Sequence, residues 1–179
     1  KRYYPYGAFA SQVIGFTGSD NQGLDGIEME YDEQLKGIPG RIVSASSANG
    51  TEVPYKYEQY IDAKDGYNVT LTIDEVIQHY VEKYLKKAYA EHNLQAGAAA
   101  IVMDPNTGEV LAMSSVPDYD LNNPFELTDV MKEELKGEED GDSDEKVSEA
   151  LFKMWRNKAV SDSYEPGSTF KLATASAAL

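Results

Sequence analysis

Gly97-Ala98-Ala99-Ala100-Ile101-Val102-Met103, Asp104-Pro105-Asn106-Thr107-Gly108 and Glu109-Val110-Leu111-Ala112-Met113-Ser114-Ser115 read as strand, turn and strand. The middle segment gathers the residues that favour tight turns, and both arms have the composition of strands. The first arm is apolar almost throughout, which predicts a central strand covered on both faces. Its small side chains predict that another element packs close against it.

Working outward towards the N-terminus, Asn68-Val69-Thr70-Leu71-Thr72-Ile73 alternates with period two and is β-branched, so it predicts a further strand. Asp74 is a good N-cap for a helix over 75–91. Val76, Ile77, Tyr80, Val81, Tyr84, Leu85, Ala88 and Tyr89 recur there at helical spacing, with Lys83, Lys86 and Lys87 on the other side. His92-Asn93 reads as its end. A strand, a long helix and a hairpin in that order predict a sheet carrying helices, an α/β or α+β architecture.

Composition changes at Asp65-Gly66, and the stretch before it is rich in Gly and Tyr. Gln12–Phe16 and Gly40–Ser44 suit strands, while 18–23 and Ala48-Asn49-Gly50 suit turns. A short helix beginning near Glu28 would place Glu28, Glu30 and Asp32 at the positive end of its dipole. This segment reads as a small α+β module without catalytic residues.

A chain of 179 residues, 41% hydrophobic and 26% charged, can form one ordinary domain or two small ones. It has no apolar run of the length a membrane helix needs. The net charge of −15 argues against nucleic acid or an anionic membrane surface as the main partner. With no cysteine, disulfides and thiolate metal sites are excluded. His79 and His92 fall near opposite ends of one predicted helix, so no metal site is expected, and no motif calls for a cofactor. The chain starts without Met and stops inside a helical pattern, which reads as a piece of a longer protein.

Beyond the hairpin, 116–124 reads as loop and Phe125 to about Gly137 as a short helix. The acids crowded into 133–149 predict an exposed, mobile excursion in preference to an acidic docking surface. Order is expected to resume at Ala150–Trp155. Asn157-Lys158-Ala159-Val160 then leads to Tyr164-Glu165-Pro166-Gly167-Ser168-Thr169-Phe170-Lys171. Pro166-Gly167 predicts a turn and Thr169 onward a helix, which puts Ser168 beside free backbone N–H groups. Lys171 follows on the same face and, desolvated and neutral, could take the serine's proton. The bare pattern is weak, since Ser143-Asp144-Glu145-Lys146 repeats it inside the acidic run, where the ordinary meaning is a helix cap.

Taken in order, the motifs resemble those of the class B penicillin-binding proteins. They are 2–7, 13–16, 23–28 with Tyr31-Asp32 and Leu35-Lys36-Gly37, and Leu71–Asp74 with Gln78. The set continues through Asp104-Pro105 and 108–113 to Asn157–Val160 and Tyr164–Lys171. The resemblance implies an α+β fold in which residues 1–64 are the end of a non-catalytic pedestal domain. Residues 65–179 would be the first part of a transpeptidase domain with helices on both faces of its sheet.

It also implies a peptidoglycan D,D-transpeptidase of the septal or sporulation branch. Ser168 would be the acylated nucleophile and Lys171 its proton acceptor, as in the Ser-x-x-Lys element of these enzymes. The Ser168 amide would be one oxyanion donor. Peptidoglycan stem peptides and β-lactams would be the ligands, and a membrane glycosyltransferase the partner. The domain would lie outside the membrane, anchored by a helix absent from this chain. A Ser-x-Asn and a Lys-Thr-Gly motif are expected beyond Leu179, because Ser19-Asp20-Asn21 matches the former only in letters and reads as a turn. Without them the segment alone should be inactive. A β-lactam sensor or scaffold, and a carboxypeptidase or β-lactamase relative, stay open as alternatives.

Overall fold

The computed structural model describes residues 2–43, 59–94, 96–137 and 143–178. The chain opens with three helical turns, α1 (Ser11–Ile14), α2 (Gly26–Glu30) and α3 (Asp32–Leu35), followed by strands β1 (Arg41–Val43) and β2 (Gln59–Ile61). Helix α4 (Glu75–His92) then precedes the hairpin β3 (Ala98–Met103) and β4 (Val110–Val116). Three more helices follow, α5 (Asp129–Lys136), α6 (Asp144–Trp155) and α7 (Lys158–Ser161), and the chain closes with a 3-10 turn at Gly167–Phe170 and α8 (Lys171–Ala178). The fold is α+β, with antiparallel pairs β1–β2 and β3–β4.

The hairpin and the long helix form where their residues predict. Asp104 Oδ1 accepts from the Asn106 amide at 2.7 Å, the Asp104 amide donates to Glu109 O at 2.9 Å, and Gly108 supplies the positive φ of 79°. Asp74 caps α4 by accepting from the amides of Val76 and Ile77, both at 2.9 Å. Asn93, at φ 48°, ends it in the left-handed region that Asn tolerates. The Gly18–Gly23 turn is closed by a 2.8 Å bond from the Gly18 amide to Gln22 O, so Ser19-Asp20-Asn21 is indeed turn.

Five expectations need correction. Residues 68–73 join no ladder, because side chains and an amide already hold the neighbouring part of β4. Thr72 Oγ1 donates to Val110 O at 2.7 Å, and the Asp74 amide donates to Leu111 O at 2.8 Å. That carbonyl is available because the register slips between Val102↔Ala112 and Met103↔Val110, leaving Leu111 as a bulge. Gln12–Phe16 is not a strand either, since Ser11–Ile14 coils into α1. The coil ends at Gly15, φ 73°, where a Cβ would lie 1.9 Å from Asp25 O, so only glycine permits this approach.

β3 alternates between partly buried and exposed positions instead of being covered on both faces; Ile101 and Met103 are open to solvent. On α4 the apolar periodicity misplaces the inner face. Val76, Tyr80 and Tyr84 are exposed while Gln78 is wholly buried. The acidic run is also shorter as an excursion than expected. α5 reaches Lys136 and α6 starts at Asp144, with Met131 and Met154 buried between them. The rest of the expected excursion, 138–142, lies outside the described residues, as do Ser44 and the turn at Ala48-Asn49-Gly50.

Phe16 is the centre of the core. It is 1% exposed and contacts the rings of Trp155 at 4.9 Å, Phe125 at 5.5 Å and Tyr119 at 6.1 Å between centroids. Leu121, Met131 and Met154 complete the buried cluster. The first segment and the segment after the hairpin therefore share one core. Replacing Phe16 with Ala in the full-length protein removes this ring, and a loss of about 3–5 kcal/mol is expected for a buried aromatic. A shift of less than about 1 kcal/mol in urea unfolding, small against that range, would contradict the shared core.

Candidate active site

Asn157 caps α7, its side chain accepting from the Ala159 amide at 3.1 Å, and Asp162 just past the helix end pairs with the Arg156 guanidinium. From there the backbone runs without regular structure to Pro166. Gly167, at φ 54°, makes the turn, and the Thr169 amide donates to Pro166 O at 3.2 Å. The Thr169 hydroxyl reaches the same oxygen. Ser168 is the second residue of the 3-10 turn, so its amide has no acceptor inside the turn and stays available. Lys171 closes the turn by donating its amide to Ser168 O, and it opens α8. Residues three apart in a 3-10 turn eclipse one another, which brings the two side chains to one face.

Both groups are exposed, as is every described residue from Ser161 to Ala178. No other described acid, base or oxyanion donor converges on Ser168. His79 lies edge-on to Tyr80 at 6.0 Å, and His92 is the last residue of α4. The second Ser-x-x-Lys copy has a structural job: Ser143 caps α6, accepting from the Lys146 amide at 3.4 Å. No helix among the described residues is long and apolar enough to cross a membrane.

In the hairpin turn the Asn106 amide holds the Asp104 carboxyl below its ordinary value. The other titratable groups with shifted values among the described residues lie at the junction of the first segment with the loop after β4. Burial pushes the Asp25 carboxyl above the usual carboxylate range, against a smaller lowering effect from the Gly26 amide. Asp25 Oδ2 is buried without a hydrogen-bond partner among the described residues. Tyr119 is raised by burial and then by the Asp25 charge, and Tyr4 by burial and then by Glu28. Arg2 offsets the latter through an ion pair with Glu28 at 3.0 Å. A cleft of about 760 Å³ opens beside this cluster between Arg2, Tyr4, Thr17, Asn122 and Phe125, and neither Ser168 nor Lys171 lines it. Spacing gave no sign of this cluster; the close approach of Gly15 to Asp25 is its one trace in the residue types.

The fold and the serine-bearing turn can be set beside known proteins. The model of the penicillin-binding protein dimerisation domain matches residues 1–71, and that of the penicillin-binding protein transpeptidase domain matches residues 98–179. The second match contains the hairpin and Ser168-Thr169-Phe170-Lys171 together. The chain belongs to the class B penicillin-binding proteins. Among curated relatives, Stage V sporulation protein D of Bacillus subtilis is 38% identical over 99% of this chain and 24% of its own length. Peptidoglycan D,D-transpeptidase FtsI of Escherichia coli is 34% identical over 96% of this chain and 25% of its own.

A peptidoglycan synthetase from Bifidobacterium adolescentis superposes with a TM-score of 0.67 at 28% identity, over 98% of this chain and 28% of that one. This penicillin-binding protein chain thus spans about a quarter of the length of the curated relatives it matches.

The Asp25 carboxyl makes a prediction with a definite sign. A raised value means the folded protein binds the proton more tightly, so stability falls as pH climbs from about 4 through the raised value. Above that range the penalty is constant. Asp25→Asn should be more stable than the parent at pH 7, with equal stability near pH 3.5 and a flatter profile between. A variant less stable at pH 7 would mean that Asp25 is held by interactions that favour its charge.

Proposed function

We propose that the full-length protein is a peptidoglycan D,D-transpeptidase in which Ser168 is the acylated nucleophile and Lys171 takes its proton. The observation that supports this reading best is the 3-10 turn that opens α8, with a free Ser168 amide and Lys171 one turn on, inside the segment matched by the transpeptidase model. In the reaction Ser168 Oγ attacks the penultimate D-Ala carbonyl of a stem peptide while its proton passes to Lys171. The tetrahedral oxyanion takes a hydrogen bond from the Ser168 amide. Collapse breaks the peptide bond and releases D-alanine, which receives the proton. An amine of a second stem then attacks the ester, frees Ser168 and closes the cross-link. β-Lactams take the donor's place and leave a slowly hydrolysed ester.

A lysine base works best where water is excluded. The described residues bury neither Ser168 nor Lys171, so that exclusion comes from chain and substrate packing on the turn. On this reading residues 1–64 close the pedestal domain and 65–179 begin the transpeptidase domain. The reading also calls for a Ser-x-Asn and a Lys-Thr-Gly motif in the full-length protein. The domain works on the outer face of the membrane, with a glycosyltransferase as partner.

A fluorescent penicillin should label the full-length protein. Ser168→Ala should abolish labelling, whereas Ser143→Ala, which removes only a helix cap, should keep it and lose about 1 kcal/mol of stability. Labelling of the Ser168→Ala variant would refute the assignment. Lys171→Arg should slow acylation by about 100-fold or more, because a guanidinium cannot accept the proton. A rate near that of the parent would place the base elsewhere.

A further inference from the structure

Ala10 occupies the left-handed region at φ 48° and ψ 34°, unusual for a residue with a Cβ. Its amide points away from its own helix and donates to Glu82 Oε1 on α4 at 2.7 Å. The same carboxylate oxygen accepts from Gln78 Nε2 at 2.7 Å. Gln78 in turn bonds both backbone groups of Met113, accepting from its amide at 2.8 Å and donating to its carbonyl at 3.0 Å. Asn157 reaches the same place from the other side, with Nδ2 3.3 Å from Met113 Sδ and 3.4 Å from the Gln12 carbonyl. One continuous set of contacts therefore joins α1, α4, β4 and the start of α7.

We propose that Glu82 is a positioning residue, the centre of a clasp that fixes the dimerisation-domain segment to β4 at Met113 and, through Asn157, sets where the Ser168-bearing stretch departs from the fold. The acyl-transfer part of this proposal rests on the reading of Ser168 above. Glu82 touches no reacting atom. Its effect is carried by Gln78 and Met113. Two acceptor contacts are what the clasp needs from residue 82, and a neutral amide oxygen can provide them as well as a carboxylate.

The test uses the full-length protein and three variants. Glu82→Ala removes the acceptor, Glu82→Asp withdraws it by one methylene, and Glu82→Gln keeps it without the charge. Hydrogen exchange read by mass spectrometry should rise about fivefold or more in peptides covering Ala10 and Met113 for the Ala and Asp variants, while Gln stays near the parent. Acylation by fluorescent penicillin should slow severalfold in the same two variants and recover in Gln, with unfolding temperatures alike among the variants that fold.

Unchanged exchange in Glu82→Asp would overturn the clasp. Faster exchange with unaltered acylation would overturn the positioning role. Absence of penicillin labelling in the parent itself would instead refute the transpeptidase reading, and the exchange measurement would still decide the clasp.

Discussion

A single side-chain amide completes the edge of β4. Gln78, wholly buried, meets the N–H and the C=O of Met113 as a neighbouring strand would. A strand edge left bare in the interior would cost roughly 1–3 kcal/mol for each unpaired group. Among the described residues no strand pairs with that edge, and 68–73 passes β4 without forming a ladder. α4 is therefore held to the hairpin at a fixed height and rotation, and the positions of Glu82, Ala10 and Asn157 follow from it. The device recurs nearby. Asn122 accepts from the Tyr4 amide at 3.1 Å and donates to its carbonyl at 2.8 Å, again replacing a strand.

Magnitudes divide the labour between these amides and the aromatic core. A satisfied hydrogen bond contributes about 1 kcal/mol net, whereas burying a ring the size of Phe16 contributes about 2–3 kcal/mol from area alone. Adhesion between the first segment and the rest therefore comes mainly from Phe16 with Tyr119, Trp155 and Met154. The amides add little attraction but allow only one register. Surface ion pairs such as Lys87–Glu91 and Lys132–Glu126 add less still, since both partners stay wet.

This division explains what could be read from the residues in advance. Asp74, Asn93 and the 104–108 turn act through neighbours in the sequence, so their types announce the helix and hairpin directly. Gln12–Phe16 and 68–73 carry strand-like letters, yet their conformations are decided by partners far along the chain. Gln12 Nε2, for example, donates to Pro117 O at 3.0 Å. Periodicity also failed on α4, where it counted Tyr80 and Tyr84 as inner residues. Their rings lie side by side at 6.3 Å on the solvent face, and the buried face is built around Gln78, which a hydrophobicity pattern scores as surface. A buried polar residue that satisfies a strand edge leaves no mark in composition.

The two Ser-x-x-Lys copies show the same principle at the level of chemistry. At Ser143 the hydroxyl accepts the Lys146 amide, and the serine is consumed as a cap for a helix whose first turn carries Asp144 and Glu145. At Ser168 a 3-10 turn replaces the cap. Gly167 takes the left-handed conformation, Thr169 supplies the hydroxyl that bonds back to Pro166, and the serine's own hydroxyl makes no hydrogen bond among the described residues. Two identical spacings thus give opposite results because the flanking residues decide which hydroxyl satisfies the backbone. Pro166-Gly167 before the serine and Thr169 after it keep Ser168 uncommitted, and an uncommitted hydroxyl beside a free amide is what acyl transfer needs.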